Sequence, residues 1–283
     1  MRTRSQLADA THNAFAALAD ETEDATTNLA LPVLDHETGE ALEHRQLRRH
    51  PKYKEIWDTS YANKLGRLCQ GIGSKSTPSQ TTPKSALPQQ RVEGTNTFRP
   101  IRYRDIPLER RHDVTYMRVV CEVRPQKAEP NRMRITIGGN PICYPSNCGT
   151  KTGYIELIKT LLNSTVSHKG ACFACFNISN FYLGTPLDHP EYVCIKLADI
   201  PQEFIDEYNL PEYAHDGWVY FEITKGVYGL KQAGKLANNL LMSQLETQRY
   251  YQCATTPGLW QHKWRPIVFV LVVNNFGIEY VDR

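Results

Sequence analysis

The sequence predicts an α+β fold, an antiparallel sheet backed by helices. Two observations carry this. Strand-like segments with period-two alternation come in neighbouring pairs, at 114–137 and 267–281, which marks hairpins. Amphipathic helical stripes at 154–166 and 233–248 alternate with strands, so helices have a sheet to cover.

Taken in order, residues 1–50 are polar and acidic with little periodicity, which predicts poor order apart from a short helix from Asn13 to Leu18. Residues 51–73 read as an amphipathic helix, with Ile56, Trp57, Tyr61, Leu65 and Leu68 at helical spacing and Gly71 and Gly73 as its stop. Residues 74–92 are rich in Ser, Thr, Pro and Gln and read as a linker. Val114–Val123 and Met133–Ile137 alternate as strands about a Glu129-Pro130-Asn131 turn. The stripe Tyr154, Leu157, Ile158, Leu161 and Leu162 gives a helix, and 171–178 a strand. Val193, Ile195 and Leu197 give another strand, 201–208 a short helix and 218–223 a further strand. A helix over 233–248 would turn Leu236, Leu240, Leu241 and Leu245 inward. The chain closes on a hairpin whose apolar run climbs to Asn274-Asn275, residues that tolerate the positive φ of a tight turn.

With 283 residues the chain has room for one large domain or two ordinary ones. A net charge of +3 is nearly balanced, so charge alone does not announce nucleic-acid binding. Basic clusters at Arg45/Arg48/Arg49, Arg102/Arg104, Arg110/Arg111 and Arg132/Arg134 are nonetheless segregated from the acidic start. No apolar run reaches membrane-spanning length and no secretory leader is visible, so the expectation is an intracellular protein with no membrane partner. The eight cysteines have no disulfide or zinc-ligand spacing. The one C-x-x-C, Cys172 to Cys175, lies in an apolar run and reads as buried free thiols.

Three ordered segments carry chemistry: FNISNFYL (176–183), VYGLKQAG (227–234) and IVFVLVVNNFGIEYV (267–281). Locally each has an ordinary reading: Phe181 and Tyr182 as core and rim aromatics, the second segment as a Gly-containing helix start, the third as a turn. Together they resemble the palm of a copia-type retrotransposon reverse transcriptase. GTNTF (94–98), VCEVRPQK (120–127), RMRITIGGN (132–140) and 184–208 resemble the fingers and palm of the same family, so the likeness covers 93–283, more weakly 51–73. It implies a partial right-hand polymerase fold, fingers and palm, with the thumb absent. The partners it implies are an RNA or DNA template-primer and a deoxynucleoside triphosphate.

Such an enzyme performs two-metal phosphoryl transfer, using Mg2+ held by carboxylates at a strand end and an adjacent hairpin tip. The resemblance places those carboxylates at Asn177, Asn274 and Asn275, where the family has Asp. It gives Tyr182 the sugar-sensing role, Gln232 a contact to the nucleotide or template, Gly229 a close backbone approach, and Arg132 and Arg134 the triphosphate. Asn keeps the shape and one carbonyl of Asp but not its charge, so the implied Mg2+ site and polymerase activity should be lost. Asp and Asn codons differ by one first-base transition, and Asn238-Asn239 is unusual inside a helix. Both fit a decaying element, with deliberate inactivation as the alternative. Two further readings stay open: a non-catalytic nucleic-acid-binding module of the same fold, and an unrelated α+β protein.

Overall fold

The computed structural model describes residues 33–35, 37–73, 91–124, 129–145 and 147–281. The expected helix from Asn13 to Leu18 and nearly all of the expected linker lie outside these residues. The chain divides into two compact units. Among the described residues the first holds the stretch up to Cys148 and Tyr182–Leu236, the second Gly149–Phe181 and the stretch from Ala237. The fold is mixed α+β, as expected.

In the first unit the chain begins with a small ladder, β1 (Val33–Leu34) against β2 (Ala41–Leu42), followed by helix α1 (His44–Arg49). This corrects the expectation of poor order for 33–49. Glu43 caps α1 reciprocally with Gln46, satisfying amide groups at the helix start, and Leu42 and Leu47 are buried. Helix α2 (Lys54–Leu68) follows. Its inward face is Trp57, Tyr61, Leu65 and Leu68, while Ile56 is 47% exposed. The first three recur every four residues and Leu68 follows on the same side. Ile56, one residue off that stripe, falls on the flank. Gly71 and Gly73 take positive φ after the helix, and β3 (Gly71–Ile72) pairs with β4 (Val92–Glu93).

The main sheet of this unit contains β5 (Phe98–Ile101), β6 (Thr115–Val123), β7 (Asn131–Ile137), β9 (Pro186–Lys196) and β10 (Trp218–Lys225), in the order β5-β10-β9-β6-β7. The β6–β7 hairpin is paired as expected. Not every pairing is antiparallel: β6 meets β9 in parallel at Thr115↔Val193 and Tyr116↔Cys194. Parallel neighbours need a long crossover, and the excursion through the second unit supplies it. Strand β9 starts seven residues before Val193 (193 − 186 = 7). It contains Pro190, which is tolerated because only Val193 and Cys194 of β9 pair with β6, leaving one side open there. Helix α2 packs on β7, and Met133, Ile135 and Ile137 join Phe98, Val193, Val219, Phe221 and Ile223 in one core.

The second unit is built on an antiparallel sheet, order β11-β12-β13-β14-β8. Its strands are β8 (Ala171–Asn177), β11 (Tyr250–Gln252), β12 (Leu259–His262), β13 (Ile267–Val272) and β14 (Asn275–Val281). Helix α3 (Ile155–Ser167) covers one face: Leu157, Ile158 and Leu161 meet Val270, with Phe173, Val268 and Val272 beside them. On the other face Leu241, Met242 and Leu245 pack with Trp260, Phe269, Leu271 and Phe276. These three leucine and methionine positions come from α5 (Ala233–Thr247). The short helix α4 (Gln202–Glu207) belongs to the first unit. Cover on both faces explains why β13 reads as an unbroken apolar run. From Ala237 onward the buried residues of α5 are Ala237 and Leu241, whereas Leu240, expected inward, is 38% exposed. Cys172 and Cys175 are free but exposed, not buried, because β8 is an edge strand. No helix among the described residues is long and apolar enough to cross a membrane.

Candidate functional site

Strand β8 ends at Asn177, and β14 begins at Asn275, its register partner; Phe176 and Phe276 pair next along the ladder. The two-residue turn between β13 and β14 is Val273-Asn274, closed by the pair Val272↔Asn275. The tip therefore sits one residue earlier than the sequence suggests. Positive φ falls on Val273 (φ 57), not on either Asn. Side-chain alternation explains the register: a slip of one residue would turn Phe276 out of the cluster it shares with Phe269 and Leu271.

The three asparagines meet, as the motifs imply, and they bond to one another and to the end of β8. The Asn177 amide donates to Asn275 Oδ1 at 2.8 Å. Asn274 Nδ2 donates to the Ile178 carbonyl at 3.3 Å, and Ile178 N–H donates to the Asn274 carbonyl at 3.0 Å. Asn177 is exposed and the other two are half-buried.

Mg2+ does not fit this donor set. It prefers anionic oxygen ligands in octahedral geometry. The side-chain oxygens of these three residues are those of neutral amides, and that of Asn275 already accepts a hydrogen bond from Asn177. Among the described residues no group of three or more His, Cys, Asp or Glu is arranged to hold a metal ion. No catalytic step through a metal follows from this geometry.

Tyr182, Gln232, Arg132 and Arg134 belong to the first unit. Gln232 departs most from expectation. It is 1% exposed and cannot reach a ligand in this conformation; its Nε2 donates to Glu191 Oε1 at 2.8 Å. Glu191 is fully buried, held by Arg110 Nη2 at 2.6 Å and His189 Nε2 at 3.2 Å, and Arg110 also holds Asp113 at 2.9 Å. A buried carboxylate needs such partners, and Gln232 is one of them. The glycine of the same motif does allow a close approach, to the protein's own backbone. Gly229 has φ +98, and a Cβ there would lie 2.0 Å from the Ile137 carbonyl oxygen. The Tyr228 carbonyl accepts from Ile137 N–H at 2.8 Å, tying this turn to the end of β7. Tyr182 is partly buried, its ring edge-on to Tyr228 at 4.8 Å, and burial raises its phenol pKa.

Arg132 and Arg134 alternate with the buried Met133, Ile135 and Ile137 and so share the other face of β7. Arg134 pairs with Glu122 at 2.9 Å. The sequence reading missed Lys64 and Arg67 of α2. Burial first, then Arg67 and Arg132, pull the Lys64 pKa down to about 8, with Glu129 opposing and Arg134 adding a smaller push. Four basic side chains thus share one neighbourhood, offset by Glu122 and by Glu129, which pairs with Arg67 at 3.2 Å. The signal in the sequence is the spacing of Lys64 and Arg67, three apart and so on one side of the helix.

The chain matches no model of a known protein family, and it matches no curated protein.

Proposed function

We propose that the chain is a degenerate copy of a copia-type retrotransposon reverse transcriptase domain, a partial fingers and palm, without polymerase activity. One observation carries the reading. Two motifs, with Asn177 in one and Asn274 and Asn275 in the other, converge where a strand end meets a hairpin tip, 98 residues apart in sequence for the bonded pair. A two-metal nucleotidyltransferase presents its carboxylates from such a pair of places. Neutral amides there supply none of the charge that opposes two divalent cations. Loss of one transition-state stabiliser costs about 10²–10³ in rate, so three together leave no useful turnover.

Primer extension in Mg2+ and in Mn2+ tests this, comparing the native chain with Asn177→Asp/Asn274→Asp/Asn275→Asp. The expected result is no synthesis by the native chain and metal-dependent extension by the restored one. Templated synthesis by the native chain would defeat the claim of inactivity.

The cluster of Lys64, Arg67, Arg132 and Arg134 favours a second reading, a nucleic-acid-binding module that retained the fold without the chemistry. Single-stranded RNA should then bind with log-linear salt dependence, and Arg132→Gln/Arg134→Gln should flatten that slope. Salt-independent or undetectable binding would exclude it.

A further inference from the structure

Among the described residues the two five-stranded sheets have four edges, and three of them are protected against further pairing. Strand β5 carries Arg99 and Pro100. Strand β7 carries Arg132 and Arg134, and both its ends are tied elsewhere: the Asn131 carbonyl accepts from Ser60 Oγ at 2.7 Å, and Ile137 N–H donates to the Tyr228 carbonyl at 2.8 Å. Strand β11 is only three residues long. Strand β8, ACFACFN over 171–177, has none of these devices. It is seven residues long, holds no charge, proline or glycine, and has its ladder with β14 on one side alone. Cys172, Cys175 and Phe176 are exposed, Phe176 by 59%. A long, uncharged, apolar edge is a template for another strand.

We propose that the outer edge of β8 pairs antiparallel with β8 of a second copy of this chain, joining two sheets across a two-fold axis. The strand is its own complement. An axis at Ala174, the middle residue, is the one that pairs all seven positions. Cys172, Ala174 and Phe176 lie on the sheet face that α5 covers, because Ala174 and Phe176 are the register partners of Ile278 and Phe276 in that cluster. Phe173 and Cys175 lie on the face that α3 covers. With the axis at Ala174, Phe176 of each copy stands opposite Cys172 of the other, and Phe173 opposite Cys175. Each ring meets a thiol, which packs as a small apolar group, and the two alanines meet on the axis. No like charges face one another. An axis at Phe173 would oppose two rings and leave Phe176 beyond the ladder. An axis at Cys175 would leave Ala171 and Cys172 unpaired.

This large-to-small match on both faces favours a second copy over a foreign peptide. One strand pair buries less than the roughly 1,200–2,000 Å² of a standard interface, so the dimer belongs to the weak class. The inference uses the second unit alone and goes beyond both functional readings.

Sedimentation velocity on the full chain, in reductant to exclude disulfides, tests it. The expected result is a reversible monomer–dimer equilibrium with a Kd on the order of 50 µM. Phe176→Lys should weaken it at least about tenfold, since symmetry counts the loss twice. The unfolding midpoint should barely move, because that ring is largely exposed. Cross-linking with a short bis-maleimide reads the register. At about 3.4 Å per residue and about 4.8 Å between strands, the two Cys175 Cα atoms would lie about 8 Å apart and the two Cys172 about 14 Å apart. Cys172→Ser should therefore still cross-link into dimers, and Cys175→Ser should not. A chain that stays monomeric at about 500 µM, tenfold above that Kd, would overturn the proposal and leave the edge to a strand of another protein. So would a dimer that Phe176→Lys leaves intact, or a cross-link that survives Cys175→Ser and is lost in Cys172→Ser.

Discussion

Asn177 and Gln232 each donate one amide proton at 2.8 Å, the first to the neutral amide of Asn275, the second to the carboxylate of Glu191. The bonds match in length and differ in what stands behind them. Asn177 is exposed, and water can replace its partner. Gln232 and Glu191 are buried, and water cannot reach them. A net hydrogen bond contributes about 1 kcal/mol, but an orphaned buried charge costs several times that. One region of the family-like sequence can therefore change cheaply, whereas the other is held by the fold's own stability.

The sharpest way to break this contrast is Arg110→Ala. It removes the closest partner of Glu191, 2.6 Å away, and leaves the charge among His189 and Gln232. The expected loss is about 3–5 kcal/mol by chemical denaturation. A loss under about 1 kcal/mol would mean that the buried network does not hold the turn.

The sequence showed where these regions are better than how they face. The stripe Trp57, Tyr61, Leu65, Leu68, the β6–β7 pairing and the closing hairpin were legible because their periodicity reports burial directly. The meeting of Asn177 with Asn275 followed from motif resemblance, since no local pattern links residues so far apart. Three things were not legible. Gln232 is polar in a glycine-rich turn, which reads as exposed, and only the tertiary partner Glu191 buries it. The first half of β9 is hidden by Asp188, His189 and Pro190, residues that signal loops and that the register with β10 passes over between Glu191↔Ile223 and Pro186↔Lys225. Strand β12, Leu259–His262, is short and follows a turn-like stretch, so its alternation spans too few residues to stand out.

A second prediction works at the tip. Asn177→Asp with Asn275→Asp replaces the amide bond by two facing carboxylates. Like charges on paired strands repel, so the unfolding midpoint in chelator should fall, by about 1 kcal/mol in free energy. Added Mn2+ should recover this and more, by about 2–3 kcal/mol at a hundredfold excess over its Kd. The native chain should respond to neither chelator nor metal. This readout needs no template and no turnover. A native chain stabilised by Mn2+ as strongly as the variant would show that neutral amides suffice for metal, and the distinction drawn from charge would collapse.

The smallest effect concerns Val273, which occupies the left-handed region at φ 57 in the turn beside the asparagines. A β-branched residue there crowds its own backbone, at a cost of about 1–2 kcal/mol. Glycine would remove that cost but lose about 0.5–1 kcal/mol through the greater freedom of its unfolded chain. Val273→Gly should therefore raise the unfolding midpoint slightly, by up to about 1 kcal/mol in free energy. Val273 is only half-buried, so little packing opposes the gain. The same turn would be more comfortable with Asn at its first position, yet Asn274 and Asn275 follow instead, one bonded to Ile178 and the other to Asn177. Strain at Val273 is thus the local cost of a register that keeps Phe276 inside and Asn275 opposite Asn177. A lower midpoint for Val273→Gly would place the valine side chain's own contacts above the strain and remove that explanation.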